Sequence, residues 1–285
     1  MRHLLLLAIA GLSTISAPHL RAQSAWPLEA GQLVVSPIFT VERFNKFYKG
    51  NNRFKTTGNV YQYSEILNLE YGLNPNLTLD LNTGYSHSPH SNWASASTTK
   101  SGRTDTTIGA RYRVVDEFTS LNDWTPTVSL RVAGIIQGNY QTGAANAVGD
   151  GADGVDLAVL LGKNVPEWNG GYYGSFGYRI RNQDVPEQWL LSGGVFRNLG
   201  ENWRANLGFT TEWATSGIDI ASAEWAAHAA PKPFHRTKER RTALEAGLSY
   251  TDGANRTWSL IYGRVIDGRN TSLDNALTAT VSFLY

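Results

Sequence analysis

The chain has 285 residues, of which 41% are hydrophobic and only 17% are charged, and it contains no cysteine. The charged fraction lies below the roughly 25% that is typical of soluble domains. A mean hydropathy of −0.30 is too polar for a protein with many transmembrane helices, and a formal net charge of +1 gives no support for nucleic-acid binding. The lack of cysteine excludes a disulfide scaffold.

The first residues predict a secretory signal peptide. A short positively charged start precedes the apolar run Leu4–Ile9, and small residues suited to cleavage follow it. The run is too short to span a membrane as a helix. We expect residues 1–22 to be removed by cleavage after Ala22, with Ala25 as the rival position, which leaves residues 23–285 as a single domain.

Beyond this segment, apolar and polar residues alternate with the period of β-strands, and no window holds the ~18 apolar residues of a transmembrane helix. In Thr104–Val114 the apolar residues share one face, and Asp105, Arg111 and Arg113 share the other. About twelve strands are predicted in this way. In chain order they are Gln32–Phe44, Val60–Gly72, Leu77–Tyr85, Thr104–Val114, Thr127–Gly138, Gly154–Gly162, Gly171–Arg181, Gln188–Asn198, Trp203–Trp213, Thr242–Tyr250, Thr257–Ile266 and Asn275–Tyr285.

Two of these strands contain a residue that breaks the pattern. Glu65 falls on the apolar face of Val60–Gly72, so we expect a bulge or a strand end at this position. Pro37 lies inside the first strand, and a proline there predicts that the strand begins nearby or is irregular.

The links between the predicted strands alternate in length. Most odd-numbered links are long, for example Asn45–Asn59 and Ala214–Arg241, whereas most even-numbered links are short, for example Asn74–Asn76. This alternation is typical of outer-membrane barrels, whose short turns face the periplasm. Tryptophans near strand ends agree, because indole rings prefer the membrane interface. They are Trp124, Trp168, Trp203 and Trp258 at the short turns, and Trp189 and Trp213 at the long loops.

The last predicted strand alternates up to its end, with Leu277, Ala279, Val281, Phe283 and Tyr285 on one face. A terminal strand with a final aromatic residue resembles the C-terminal strand of bacterial outer-membrane proteins. The resemblance implies that the barrel-assembly machinery recognises Tyr285.

These features predict an all-β fold, a transmembrane up-and-down antiparallel β-barrel of about twelve strands with short periplasmic turns and long extracellular loops. A closed sheet suits lipid because every backbone N–H and C=O can pair internally. The predicted location is the bacterial outer membrane. A secreted soluble β-sandwich is the alternative, since its strands would alternate as well.

One stretch, Tyr63–Tyr85, combines the segment EYGL, a short polar turn and the strand LTLDL. Together with Asp105–Val114 (DTTIGARYRV) and the segment AWPLEAGQ, it resembles the outer-membrane family named for the MetA pathway of phenol degradation. Thr104-Asp105 stands where that family has Gly-Asp. The resemblance implies a barrel for the uptake of small, often aromatic or hydrophobic compounds, and it implies no catalytic residues or cofactor.

If the apolar faces contact lipid, the polar faces line the interior, because a charge at mid-membrane costs roughly 2–4 kcal/mol on the lipid side. Charges of both signs are therefore predicted inside. They either line a water-filled pore and set its charge preference, or pair across the interior and close it. The predicted pore-lining residues are Asp80, Asp105, Arg111, Arg113, Asp156, Arg179, Arg181, Arg204, Glu212 and Glu245.

The longest link, Ala214–Arg241, contains the helix-favouring segment Ser222–Ala230 and then a basic cluster. The cluster suggests contact with lipopolysaccharide phosphates or an anionic solute, a constriction at the barrel mouth, or only a solvated loop. Its residues are Lys232, His235, Arg236, Lys238, Arg240 and Arg241.

Catalytic and metal sites find little support in the sequence. The segment Tyr85–Asn92 places His87 and His90 beside serines and faintly resembles a motif of outer-membrane phospholipases, but the spacing does not fit. No third ligand supports a metal at these histidines. The acids of Gly149–Asp156 recur every third position, unlike an EF-hand loop.

We therefore predict no enzyme, cofactor or metal site, but a channel or transporter that passes small solutes, with a lean toward aromatic or hydrophobic compounds. Expected partners are outer-membrane lipid, lipopolysaccharide and the solute. The alternatives are a plugged structural or adhesive barrel that acts through its extracellular loops, and a barrel lipid hydrolase.

Overall fold

The computed structural model describes residues 24–89, 99–142, 146–220, 222–228 and 233–285. The predicted signal peptide, residues 1–22, lies outside the described residues. The described chain forms thirteen strands in one sheet. They are β1 Leu33–Lys49, β2 Asn52–Asn74, β3 Leu77–Ser88, β4 Lys100–Arg103, β5 Thr106–Val115, β6 Thr127–Ile136, β7 Gly154–Val165, β8 Gly170–Arg181, β9 Gln188–Leu199, β10 Trp203–Ala214, β11 Arg240–Thr251, β12 Arg256–Arg269 and β13 Ser272–Leu284.

The sheet closes into a barrel because β1 pairs antiparallel with β13 as well as with β2. The short strand β4 and the longer β5 both pair with β3, in registers that differ by one residue. They are two parts of one wall strand, interrupted at Thr104 and Asp105. The wall thus has twelve strands, and the predicted fold class is confirmed.

The two faces of the wall differ as the alternation predicts. Outward side chains are large and apolar and remain exposed, such as Ile108, Leu207 and Leu260. Inward side chains at the neighbouring positions are mostly polar and buried, such as Thr107 and Asn206. A continuous apolar belt of this kind is unsuited to water and suits lipid.

The hairpin of β1 and β2 corrects one prediction. The predicted long link Asn45–Asn59 is mostly strand, because β1 continues to Lys49 and β2 begins at Asn52. The chain turns at Gly50, whose φ of 55° favours glycine. A register irregularity follows Phe44, and it disrupts the alternation on which the prediction rested. The link predicted between β12 and β13 is likewise a tight turn.

Glu65 corrects a second prediction, since β2 has neither a bulge nor an end at this position. Its register is regular, with Phe39 on one side and Tyr85 on the other, and its side chain is exposed on the outer wall. There it lines a groove of about 800 Å³ together with Thr83 and Arg103. The outward carboxylate therefore has polar neighbours. Because they come from other strands, the sequence of β2 alone does not show them.

Pro37 lies inside β1, and the predicted irregularity is present. The register between β1 and β13 includes Val35 and Ile38 but omits Ser36 and Pro37, whereas the register with β2 is continuous here. Proline has no N–H to donate, so this edge of the strand loses a ladder bond. A side-chain bond of 2.8 Å between Ser36 and Ser282 joins the two strands instead.

Helix is scarce in the described part of the chain. Within the predicted segment Ser222–Ala230, the helix α1 covers Ala223–Ala227, and the Ser222 hydroxyl caps it by accepting a bond from the Trp225 N–H. Single 3₁₀ turns occur at Pro166–Trp168 and Phe234–Arg236. Among the described residues, no helix has both the length and the apolar character needed to cross a membrane.

Candidate functional site: the barrel lumen

The predicted pore-lining residues all lie on the inward parity of the wall or, for Asp105, at the break between β4 and β5. Eight of the ten are buried, and only Arg113 and Arg204 are half-buried. Arg113 donates to the Asn76 side chain at 2.9 Å, and Arg204 lies over the Phe196 ring at 4.3 Å. That these residues line a pore remains a prediction, but their inward placement agrees with it.

Two buried ion pairs connect strands that are not neighbours. Arg111 on β5 bonds Glu70 on β2 at 3.1 Å, and Arg131 on β6 bonds Asp80 on β3 at 2.6 Å. The second pair passes over Gly109 of β5, where a Cβ would lie 2.7 Å from Asp80 Oδ2. A larger side chain at Gly109 would therefore displace the pair.

Glu70 and Arg131 were absent from the predicted site. Both fall on the polar parity of predicted strands, so the same alternation could have identified them. Opposite Asp80 stands Glu70, and opposite Arg111 stands Arg131. Like charges directly opposite are unfavourable, and the crossed pairing offsets this by giving each acid an arginine.

A second group of pairs holds an extracellular loop against the wall. Arg179 bonds Asp156 at 2.7 Å, and Arg181 bonds Asp105 at 2.8 Å. Asp105 also accepts the Gly138 N–H at 3.0 Å and the Tyr140 hydroxyl. The acid thus anchors the loop between β6 and β7, which explains its complete burial at the strand break.

The far side of the lumen carries a fifth pair, beside a surplus of acids. Arg241 on β11 bonds Asp274 on β13 at 2.7 Å, and Glu212 stands opposite Arg241 in the sheet. Glu42 on β1 lies in the electrostatic field of both members of the pair. Glu245, the last of the predicted residues, is buried near Tyr173.

The predicted placement of Arg241 in a loop is wrong, because this side chain is buried inside the lumen on β11, and its contact with an anion stays a prediction. The reason is the early start of β11 at Arg240, which places Arg241 on the inward parity. Arg240, on the outward parity, bonds Asp267 at 2.9 Å, and Arg236 lies 3.6 Å from Asp184. Burial lowers the pKa of the His235 imidazole.

The rest of the predicted basic cluster is Lys232 and Lys238. Lys232 lies outside the described residues, and the Lys238 backbone pairs with Ile218 within the loop. Contact with lipopolysaccharide stays a prediction for the remaining members. Loop residues Ile218, Ile220 and Trp225 instead pack with Phe47 of β1, which holds the loop against the barrel rim.

The N-terminal segment occupies the lumen from the periplasmic side, which the sequence did not predict. The indole of Trp26 donates to Glu117 at 2.6 Å, and the Leu28 N–H donates to Thr78 at 2.9 Å. Ala25 belongs to a buried cluster with Leu160 of the wall. Trp26 also covers Gly162, where a Cβ would meet the indole at 2.7 Å.

This segment, residues 24–32, is called the plug below. Glu117 is its main anchor, since it also accepts the Asn164 backbone and side-chain amides at 2.9 Å and lies 3.4 Å from Lys163. A non-periodic segment carries no sheet signal, so the alternation of residues could not identify the plug.

The residues considered for catalysis and metal binding do not converge where they can be described. His87 points outward from β3 and is exposed, and His90 lies outside the described residues. Asp150, Asp153 and Asp156 have separate partners, namely Arg181, the Gln137 N–H and Arg179. Within the described ranges, no three His, Asp or Glu side chains could hold a metal ion.

The fold matches solved outer-membrane barrels. A crystal structure of the COG4313 outer membrane channel from Pseudomonas putida F1 aligns with a TM-score of 0.70 at 15% identity, covering 92% of this chain and 98% of that one. The NanC porin aligns with a TM-score of 0.51 at 14% identity, covering 88% and 98%. No protein-family model and no curated protein matches the sequence. At these identities the similarity establishes the fold of an outer-membrane barrel.

Proposed function

We propose that the protein is a narrow, gated channel of the bacterial outer membrane that passes small solutes. One observation carries this proposal: a closed barrel with an apolar outer belt encloses a lumen lined by charged and hydroxyl side chains. The fold of the COG4313 outer membrane channel supports the same function.

The plug supplies the gate in this proposal. It enters from the periplasmic end and reaches Leu160 in the middle of β7. The hydrogen bonds of Trp26 and Leu28 can be exchanged for bonds to water, and the apolar contacts of Ala25 and Trp26 hold the segment in the closed state. Because the plug precedes the first wall strand, it can leave the lumen without breaking a ladder of the wall.

Conductance in a planar bilayer tests the proposal. The refolded protein is compared with a variant that lacks the plug, residues 24–32, and keeps every wall strand. We expect discrete conductance steps that are larger or more frequent in the variant. Addition of phenol then tests the aromatic solute class that the MetA-pathway resemblance implies, since a solute that enters the lumen reduces the current.

A permanently closed barrel is the second candidate, and the buried ion pairs across the lumen favour it. Such a protein would act through its extracellular loops. Silence of both the full chain and the plug-deleted variant, with each shown to be folded, would contradict the channel and favour the closed barrel.

A further inference from the structure

Aromatic side chains mark the extracellular end of the outer wall on both sides of the join between β1 and β13. Tyr61 and Tyr63 of β2 stack with ring centroids 6.4 Å apart, and Tyr262 of β12 is exposed on the outward face. Tight turns join β1 to β2 and β12 to β13 beyond this level. Because tyrosines collect at the membrane interface, these rings lie at the level of the outer-leaflet headgroups.

Five exposed basic side chains lie at or beyond this level. They are called the basic patch below and are Arg43, Lys46, Arg53, Lys55 and Arg264. Arg43 donates to the Asn59 side chain at 3.1 Å, and Arg53 donates to the Tyr48 hydroxyl at 2.7 Å. Within the described residues, none of the five forms an ion pair with an acid.

One row of the sheet sets the geometry of the patch at its membrane edge. The row runs from Arg264 through Asn275 to Arg43 and ends at Tyr61. Two steps between neighbouring strands separate the two arginines, so their Cα atoms lie about 10 Å apart. Between them, Asn275 Oδ1 accepts a bond of 2.7 Å from the Tyr262 hydroxyl, which leaves the Asn275 amide nitrogen as a further donor.

The hairpin above this row gives a second, independent observation. Lys46 and Lys55 stand directly opposite each other in the pairing of β1 with β2, and both are exposed. They lie on the face away from Phe47, the neighbour of Lys46, which packs with the loop between β10 and β11. Like charges directly opposite each other are destabilising. An anion bound beside the two lysines would offset their repulsion.

The described acids on these strands do not neutralise the patch. Glu42 and Asp274 point into the lumen and are buried. On the outward face, Asp267 bonds Arg240 at 2.9 Å, and Glu65 lies on the periplasmic side of Tyr63. The patch therefore presents a concentrated positive charge at the level of the outer-leaflet headgroups.

We propose that the basic patch is a binding site for the phosphorylated disaccharide of lipid A, the membrane anchor of lipopolysaccharide. Lipid A carries a phosphate at each end of its disaccharide, and a planar guanidinium binds two phosphate oxygens at once. Arg43 and Arg264, set apart by one strand, each bind one phosphate, while the acyl chains lie along apolar side chains below, such as Leu277. The site lies outside the lumen and does not depend on solute passage.

Native mass spectrometry of the refolded protein in detergent tests the site by counting bound lipid as the lipid concentration is raised. The probes are lipid A with both phosphates, the same lipid A with both phosphates removed, and phosphatidylglycerol. We expect intact lipid A to bind at least about tenfold more tightly than the dephosphorylated form, because each basic side chain near a membrane phosphate contributes about fivefold. Phosphatidylglycerol, with one phosphate, should bind more weakly than intact lipid A.

Arg264→Gln removes one charge from the row, and it should weaken the binding of intact lipid A about fivefold. Arg197→Gln is the matched control, since Arg197 is exposed on the outward face of β9 near its periplasmic end, and it should leave binding unchanged. The heat-dependent shift of barrels on gels shows whether each variant is folded. Should Arg264→Gln fail to fold, Lys55→Gln in the hairpin provides the second variant.

Equal affinity for intact and dephosphorylated lipid A would overturn the site, and so would an equal loss of binding in Arg197→Gln. Phosphatidylglycerol bound as tightly as lipid A would show a general attraction for anionic lipid, which would overturn the assignment to lipid A. Binding and conductance fail separately: a protein that binds lipid A selectively but is silent in the bilayer loses the channel and keeps the site.

Discussion

At the scale of single residues, the lumen is lined by ion pairs whose partners lie far apart in sequence. Alternation placed Asp80, Asp156 and Arg179 on the inward face correctly, because a residue's parity depends only on its own strand. Alternation could not identify which of these side chains bond to one another. The partner of Asp80 is Arg131, two strands away along the wall, and the pairing depends on strand registers that no single strand encodes.

The Asp80–Arg131 pair makes a stability prediction. Arg131→Met leaves the Asp80 carboxylate buried without its guanidinium, and breaking such a pair costs about 3 kcal/mol. The double variant Asp80→Asn with Arg131→Met should recover most of this loss, since both charges are then absent. Denaturant unfolding in lipid vesicles measures both free energies, and an equal loss in the two variants would contradict the assignment.

Glu239 makes a prediction about pH. Burial, and then the nearby Glu212 carboxylate, raise its pKa from 4.5 to about 8. The folded state therefore keeps a proton that the unfolded state releases, so stability is greatest below about pH 4.5 and falls as the pH rises toward about 8.

The melting temperature of the wild type should thus fall over this pH range, and that of Glu239→Gln should fall less. The Glu65→Gln variant serves as the control. The same pH dependence in wild type and Glu239→Gln would show that another group carries the effect.

At the scale of elements, the strands were predicted well and the segments between them were not. For example, β9 was predicted as Gln188–Asn198 and ends at Leu199, one residue later. The prediction is this close because a spanning strand alternates over its whole length. The plug and the loop anchored by Asp105 have no such constraint. Their positions follow from contacts, such as Trp26 with Glu117, that form only once the barrel is closed.

The plug makes a prediction about gating. Trp26→Ala removes the bond to Glu117 and the indole that covers Gly162. The unplugged state should gain at least about tenfold in population, because losing a large packed aromatic side chain costs more than the 1.4 kcal/mol that a tenfold change requires. Single-channel recording measures this as open probability.

Trp168→Ala is the matched control, since this tryptophan lies in a periplasmic turn and is 45% exposed. Its open probability should equal that of the wild type. A similar rise in both variants would indicate a general effect of removing an indole at the membrane interface.

At the scale of the whole molecule, closure of the wall follows from the first and last strands. The Leu33 N–H donates to the Tyr285 carbonyl at 3.1 Å, and the Tyr285 N–H returns a bond of 2.9 Å to the Leu33 carbonyl. The sequence predicted closure, since backbone groups in lipid must pair internally, but it did not show which ladder bonds of this join are missing beside Pro37. Pro37 removes one ladder bond near the end of the join formed by Leu33 and Tyr285.

Pro37 has a consequence for how the ring of strands comes apart. A closed wall cannot lose one strand without breaking two ladders, so it ruptures first where a ladder is already incomplete. Amides of β13 near Val281 should exchange with deuterium faster than those near Val195 in β9, whose ladder with β10 is unbroken. Pro37→Val should slow the exchange at Val281. The join at which this barrel closes is then also the place where it opens when it unfolds.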